Sequence, residues 1–162
     1  MEKIINLIEK ISKIGAYISA TFMLLIVAII STEIFLRSIF NKSLLISDEY
    51  SAYFMVASIF FGLAYTLREG KHIKITIITS RIKNKTVSLI LDIVVYLIAF
   101  GISTFACYFA FLMVNETRTL DMRADSIAET PLWIPEISVF LGFLLLSLQL
   151  LAMILRRIKN YK

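Results

Sequence analysis

The hydrophobic positions of this chain are gathered into four long uncharged runs that are separated by short polar stretches. The runs cover residues 14–32, 50–67, 93–115 and 137–155, and each holds 18 to 23 residues. A helix rises about 1.5 Å per residue, so each run is close to the ~30 Å hydrocarbon thickness of a bilayer. The pattern predicts an all-α integral membrane protein with four transmembrane helices. Their approximate spans are 14–38, 48–68, 86–114 and 131–155, within a single membrane domain of residues 1–162.

Two shorter stretches are amphipathic. In residues 2–13, isoleucine and leucine recur at helical spacing opposite three lysines. This pattern predicts an interfacial helix at the lipid headgroups, or else the cytoplasmic start of the first transmembrane helix. Residues 73–83 are too short and too charged to span, so we expect them to lie flat on the membrane surface. Ile73, Ile75 and Ile77 also alternate along the chain, which is compatible with an extended segment instead of a helix.

Composition supports lipid as the surrounding solvent, and charge predicts the orientation. Hydrophobic residues make up 59% of the chain, against about 45–50% in a soluble domain. The net charge is +5, and 13 of the 17 Lys and Arg residues fall in residues 1–13, 66–86 and 156–162. Basic residues are retained on the cytoplasmic side, so both termini are predicted to be cytoplasmic. Basic clusters between bilayer-length apolar runs do not form a nucleic-acid groove, so no nucleic-acid partner is expected.

Three charged residues lie close to the ends of the first and third runs. Glu33 and Arg37 are four residues apart, in the order that favours an ion pair on one helix face. The pair is either an intrahelical pair near the outer headgroups or a site where Glu33 faces a helix of another subunit. Asp92 lies about two turns into the third segment, and its expected partner is Arg68 or Lys85. It is either a simple interfacial carboxylate or a functional intramembrane acid.

The second segment begins with residues typical of a helix start. Ser47 is predicted to be the N-cap, and Asp48 and Glu49 fall in the first turn, where carboxylates meet the positive end of the helix dipole. Ser58 and Gly62 are four apart, so a neighbouring backbone is able to approach the helix there.

The fourth segment begins with Thr130 and Pro131, which are predicted to be the cap and the first helical position. Trp133 follows where an interfacial aromatic side chain is expected. Pro135 is early enough in the helix to be tolerated.

The sequence lacks the common patterns of catalytic and metal sites. It has one histidine, one cysteine, no glycine-rich phosphate loop and no metal-ligand spacing. His72 lies in a basic turn, where a ligand or proton role is not favoured. We therefore predict neither an enzyme nor a cofactor. A transporter acting alone needs convergent polar groups near the bilayer midplane, and the runs are poor in such groups. The chain is thus predicted to work as a partner of another protein.

Two local patterns point to a family. The first is an acidic pair, a later glycine and Arg-x-Gly-x-His-Ile, which here are Asp48-Glu49, Gly62 and Arg68-Glu69-Gly70-Lys71-His72-Ile73. The second is Thr-Pro-x-Trp-Ile-Pro, which is Thr130 to Pro135. In these patterns and in its four helices, the chain resembles the small membrane subunit, of the DctQ type, of tripartite ATP-independent periplasmic (TRAP) transporters.

The resemblance implies a subunit of a sodium-driven importer in the bacterial inner membrane. A periplasmic binding protein would capture an organic acid anion, and a large DctM-like membrane subunit would carry it inward. The small subunit would scaffold the large one and help dock the binding protein, in contact with membrane lipid. It would hold no catalytic, substrate or metal site. The candidates for family-motif and subunit-contact roles are Glu33, Arg37, Asp48, Glu49, Gly62, Arg68, Gly70, His72, Asp92, Pro131, Trp133 and Pro135.

Two alternatives come from other classes. One is a self-sufficient homodimeric exporter of four-helix chains, in which Glu33 is the proton-coupled acid. The other is a membrane anchor subunit of an enzyme complex.

Overall fold

The computed structural model of this chain describes residues 2–69 and 85–159. Within these ranges the chain forms four helices: α1 (Glu2–Phe40), α2 (Ser47–Arg68), α3 (Lys85–Thr119) and α4 (Trp133–Lys159). All four are long and apolar enough to cross a membrane. The described residues contain no strand beyond an isolated antiparallel bridge between Arg123 and Pro131. The predicted all-α membrane fold is therefore confirmed.

The helices extend beyond the uncharged runs. Residues 2–13 form the first turns of α1, continuous with the rest of that helix. Ile5 and Ile8 are buried there, as is Ser12, so this segment packs within the bundle. The helix α3 continues to Thr119, past the predicted end at residue 114. The predicted surface segment 73–83 lies outside the described residues.

Antiparallel hairpins build the bundle. The helix α1 packs along α2, α3 packs along α4, and α2 packs against α4 to join the two hairpins. A lighter contact connects α1 with α4, whereas the packing of α3 is concentrated on α4. One end of the bundle, called here the arginine end, holds the starts of α1 and α3 and the ends of α2 and α4. The opposite end, called the loop end, holds the turn at residues 41–46 and the loop at residues 120–132.

Paired serines join α1 to α2 in the middle of the bundle. The Ser19 hydroxyl donates to the Ser58 carbonyl oxygen at 2.6 Å, and the Ser58 hydroxyl donates to the Ser19 carbonyl oxygen at 3.1 Å. A Cβ added to Gly62 would lie 3.1 Å from Ser19 Oγ. The close approach predicted at Ser58 and Gly62 is therefore present, and the neighbour that makes it is α1 of the same chain.

A close crossing joins α2 to α4 at Gly142. A Cβ added to Gly142 would lie 2.5 Å from Phe60 Cβ and 2.8 Å from the Phe60 carbonyl oxygen. Gly15 of α1 approaches the next residue of α2, since its added Cβ would lie 2.9 Å from the Phe61 carbonyl oxygen. The absence of a side chain at Gly15 of α1 and at Gly142 of α4 therefore lets both helices pack closely against α2 at Phe60 and Phe61.

Pairs of hydroxyl and amide side chains also form hydrogen bonds between helices inside the spans. Ser103 of α3 and Ser147 of α4 share a hydrogen bond of 2.9 Å. The Ser12 hydroxyl donates to Gln149 Oε1 at 2.7 Å, and both side chains are almost completely buried. These bonds satisfy side chains that would otherwise lie unpaired in an apolar interior.

Candidate functional site

At the arginine end, Glu9 of α1 bridges two other helices. Glu9 Oε1 lies 3.0 Å from Arg156 Nη1 of α4, and Glu9 Oε2 lies 3.5 Å from Arg68 Nη2 of α2. The Glu9 side chain is 18% exposed, so the carboxylate lies mostly within the bundle. Sequence reasoning missed Glu9. The available signal was an acidic residue within the amphipathic stretch of residues 2–13, which holds two acidic residues, Glu2 and Glu9, among its lysines.

Asp92 of α3 forms an ion pair at the same end. Asp92 Oδ2 lies 2.7 Å from Arg157 Nη2 of α4. The prediction that its partner comes from the segment before α3 is therefore corrected: the structure pairs it with α4, and Arg68 pairs with Glu9. The cause is the topology, because α3 packs on α4 and the end of α4 lies beside the start of α3.

These two ion-pair groups border a cleft of about 250 Å³. Tyr96 of α3 and Gln149, Ala152 and Met153 of α4 complete its lining. The cleft therefore combines residues from all four helices at one end of the bundle.

At the loop end, the Glu33 carboxylate organises the turn between α1 and α2. It lies 2.7 Å from Arg37 Nη2, as the predicted intrahelical pair requires. The Ser43 hydroxyl donates to Glu33 Oε1 at 2.7 Å, and the Leu44 backbone N–H donates to Glu33 Oε2 at 2.6 Å. Glu33 is only 8% exposed, whereas the Arg37 side chain is 68% exposed. Glu33 is thus satisfied within its own chain, and Arg37 extends away from it.

The two residues of the predicted acidic pair, Asp48 and Glu49, differ in their exposure to solvent. Asp48 is exposed, whereas Glu49 is half-buried and accepts a hydrogen bond of 2.7 Å from the Tyr53 hydroxyl. The hydroxyls of Ser126 and Thr130, from the loop between α3 and α4, also approach the Glu49 carboxylate. Both hydroxyls are buried, and neither makes a hydrogen bond among the described residues. The start of α2 therefore lies next to the loop at residues 120–132 at Glu49.

The start of α2 differs from the prediction in its cap. The N-cap position is Ile46, and no side chain makes a capping hydrogen bond there. Ser47 lies inside the helix, and its hydroxyl donates to the Leu44 carbonyl oxygen at 2.8 Å. The prediction that Ser47 caps α2 is therefore wrong, because the compact turn engages its hydroxyl.

The start of α4 also differs from the prediction. The helix begins at Trp133, and Pro131 lies before it in a bridge with Arg123. The Thr130 hydroxyl makes no capping bond, so the prediction that Thr130 and Pro131 begin the helix is wrong. Pro135 lies in the first turn, as expected. The Arg118 guanidinium lies 5.7 Å from the centre of the Trp133 ring, which ties the end of α3 to the start of α4.

Two of the sequence candidates lie outside the described residues, namely Gly70 and His72. The described part of α2 ends at Arg68, with Glu69 in the C-cap position. Among the residues that the structure describes, no group of three or more His, Cys, Asp or Glu side chains is placed to hold a metal ion.

The fold defines the class of the protein: it is a multi-pass helical membrane protein whose described ion pairs lie at the two ends of the bundle. Residues 26–160 match the family described as tripartite ATP-independent periplasmic transporters, DctQ component. The chain belongs to this family, so it is the small component of a TRAP transporter, in the inner membrane. DctQ is a family of transporter components and not an enzyme family. A comparison with the curated proteins finds no match.

Proposed function

We propose that this chain scaffolds a large, DctM-like membrane subunit and steadies it while that subunit transports its substrate. The observation that carries the proposal is the large apolar surface that the bundle leaves uncovered. The packing of α3 is concentrated on α4, and its other faces expose Ile98, Ile102, Phe105 and Phe109 by half or more. A helix held on one side has room for a partner along its length.

The transported substrate in this proposal is an organic acid anion, and the driving force is a sodium gradient. Membership of the DctQ family supports this assignment. The polar side chains inside the spans support placing the substrate and sodium sites in the large subunit. Ser19 pairs with Ser58, and Ser103 pairs with Ser147, so these hydroxyls serve helix packing.

The loop end is the part of the chain that we assign to docking the periplasmic binding protein. With both termini cytoplasmic, as the distribution of Lys and Arg predicts, the loop end faces the periplasm. Its exposed charges are of mixed sign and include Arg37, Lys42, Asp48, Asp121 and Arg123. The Glu33 carboxylate holds the turn at residues 41–46 through Ser43 and Leu44, which gives this part of the docking surface a defined shape.

Reconstituted transport tests the proposal. The large subunit is placed in proteoliposomes with or without this chain. Uptake of labelled dicarboxylates and sialic acid is then measured with the binding protein present and an inward sodium gradient. The proposal predicts uptake of one of these anions that needs the chain, the binding protein and the gradient together. Equal uptake without the chain, by an equally stable large subunit, would contradict the scaffold role.

A further inference from the structure

The cleft at the arginine end has more hydrogen-bond donors than its own acceptors use. Its lining includes Arg68, Arg156 and Arg157, against the carboxylates of Glu9 and Asp92. Each guanidinium has five N–H donors, and each of these arginines contacts a carboxylate through a single Nη atom. Counted over the described residues, the lining therefore has a formal charge of +1 and many N–H donors that no described acceptor uses.

Two of these arginines have side chains that reach beyond the bundle. The side chains of Arg156 and Arg157 are 62% and 42% exposed. Arg157 Nε is buried and has no hydrogen-bond partner among the described residues. Planar guanidinium groups with free donors are well suited to the oxygens of a phosphate group.

The cleft lies at the depth where lipid phosphates occur. The uncharged run of α2 ends at Leu67, directly before Arg68, and that of α4 ends at Leu155, directly before Arg156. The run of α3 starts directly after Asp92. Each run is close to the hydrocarbon thickness, so these charged side chains lie at the boundary with the headgroups.

Exposed apolar side chains flank the cleft. On α3, Leu91 and Val95 lie beside Asp92 and are 37% and 50% exposed. On α4, Leu151 is 37% exposed. Such a surface suits acyl chains and offers nothing to a free inorganic ion.

From these observations we propose that the cleft binds the phosphate group of an anionic phospholipid, with the acyl chains along the exposed faces of α3 and α4. Basic pockets between helices on the cytoplasmic side are a recurrent form of headgroup site. Here the bound phosphate would touch arginines of α2 and α4 beside the Asp92–Arg157 pair. It would therefore strengthen the attachment of α3, whose packing is concentrated on α4.

Lipid titration followed by native mass spectrometry of the full chain in detergent tests this site. The probes are phosphatidylglycerol, phosphatidylcholine and inorganic phosphate. The proposal predicts that phosphatidylglycerol binds at least about tenfold more tightly than phosphatidylcholine. It also predicts that millimolar inorganic phosphate does not displace the lipid. Equal binding of the two lipids, or full displacement by inorganic phosphate, would overturn the proposal.

Paired variants separate the cleft from general surface charge. Arg156→Gln with Arg157→Gln removes two charges from the cleft. Lys10→Gln with Lys13→Gln removes two exposed charges near the same end that do not line it. The first pair should lose about tenfold or more of the phosphatidylglycerol affinity. The second pair should bind like the wild type, and an equal loss in both would overturn the proposal.

If the arginine variant does not fold, thermal unfolding of the wild-type chain provides a second test of lipid binding. Phosphatidylglycerol should raise the melting temperature more than phosphatidylcholine does, because a ligand of the folded state stabilises it. Equal shifts with the two lipids would count against the site. The conservative variant Arg156→Lys with Arg157→Lys retains the charge but lacks the planar fork. It should therefore bind phosphatidylglycerol more weakly than the wild type, and unchanged binding would contradict recognition by the guanidinium groups.

Discussion

Replacing Gly142 with alanine should force α2 and α4 apart. The new Cβ would lie 2.5 Å from Phe60 Cβ and 2.8 Å from the Phe60 carbonyl oxygen. Carbon atoms make favourable contact at about 3.5–4.0 Å, so the crossing would have to open by about 1 Å. The obstacle is the Phe60 backbone and its Cβ, which a change of side-chain rotamer does not move.

The expected cost of this change is about 1–3 kcal/mol, which is typical of overpacking in a close-packed interior. For a chain of this size, that corresponds to a melting temperature lower by roughly 2–12 °C. The assay is thermal unfolding in one detergent, followed by far-UV circular dichroism. The helix α2 touches both α1 and α4 at this level, so the loss should affect the whole bundle.

A matched control is available on α3. A Cβ added to Gly101 meets no atom within 4 Å, so Gly101→Ala should leave the melting temperature unchanged or slightly raised. Wild-type stability in Gly142→Ala, or an equal loss in both variants, would refute the close crossing at Phe60.

The remaining predictions concern polar groups, and the same unfolding assay measures each of them. Glu33→Ala should destabilise the chain more than Arg37→Ala does because it removes the acceptor of the part-buried Leu44 N–H, whereas Arg37→Ala should cost less than about 1 kcal/mol because its side chain is mostly exposed. Equal losses would show that the ion pair, and not the turn contact, is what matters. Ser103→Ala should cost only about 0.6 kcal/mol, the usual size of an interhelical hydrogen bond in a membrane protein. Ser12→Ala should cost more than Ser103→Ala, since it strands the buried Gln149 amide; a smaller loss would contradict this.

The lengths of the four uncharged runs were enough to predict the four helices. Each helix satisfies its own backbone hydrogen bonds, so an uncharged run of bilayer length carries most of the required information. The i, i+4 pairing of Glu33 with Arg37 was predictable for the same reason, because both residues belong to one helix. Both features depend only on contacts within one helix, and these follow directly from the spacing of residues in the sequence.

Contacts between distant segments were not predictable in this way. The partner of Asp92 depends on which helix packs beside α3, and the answer, Arg157, is 65 residues away. Gly142 has its role only because α4 crosses α2 at Phe60. The two predicted N-caps failed for a related reason. The Ser47 hydroxyl bonds within the turn, and Thr130 lies beside the bridge between Pro131 and Arg123, so contacts outside the helix replace the capping that residue type alone predicts.

The role of the exposed apolar surface is most directly tested by co-expressing the tagged chain with the DctM-like large subunit. The detergent extract is purified through the tag, and the mass of the product is measured by native mass spectrometry. The account predicts a complex that contains both subunits, together with a higher yield of monodisperse large subunit than is obtained without this chain. Recovery of the chain alone from cells that contain a folded large subunit would contradict it.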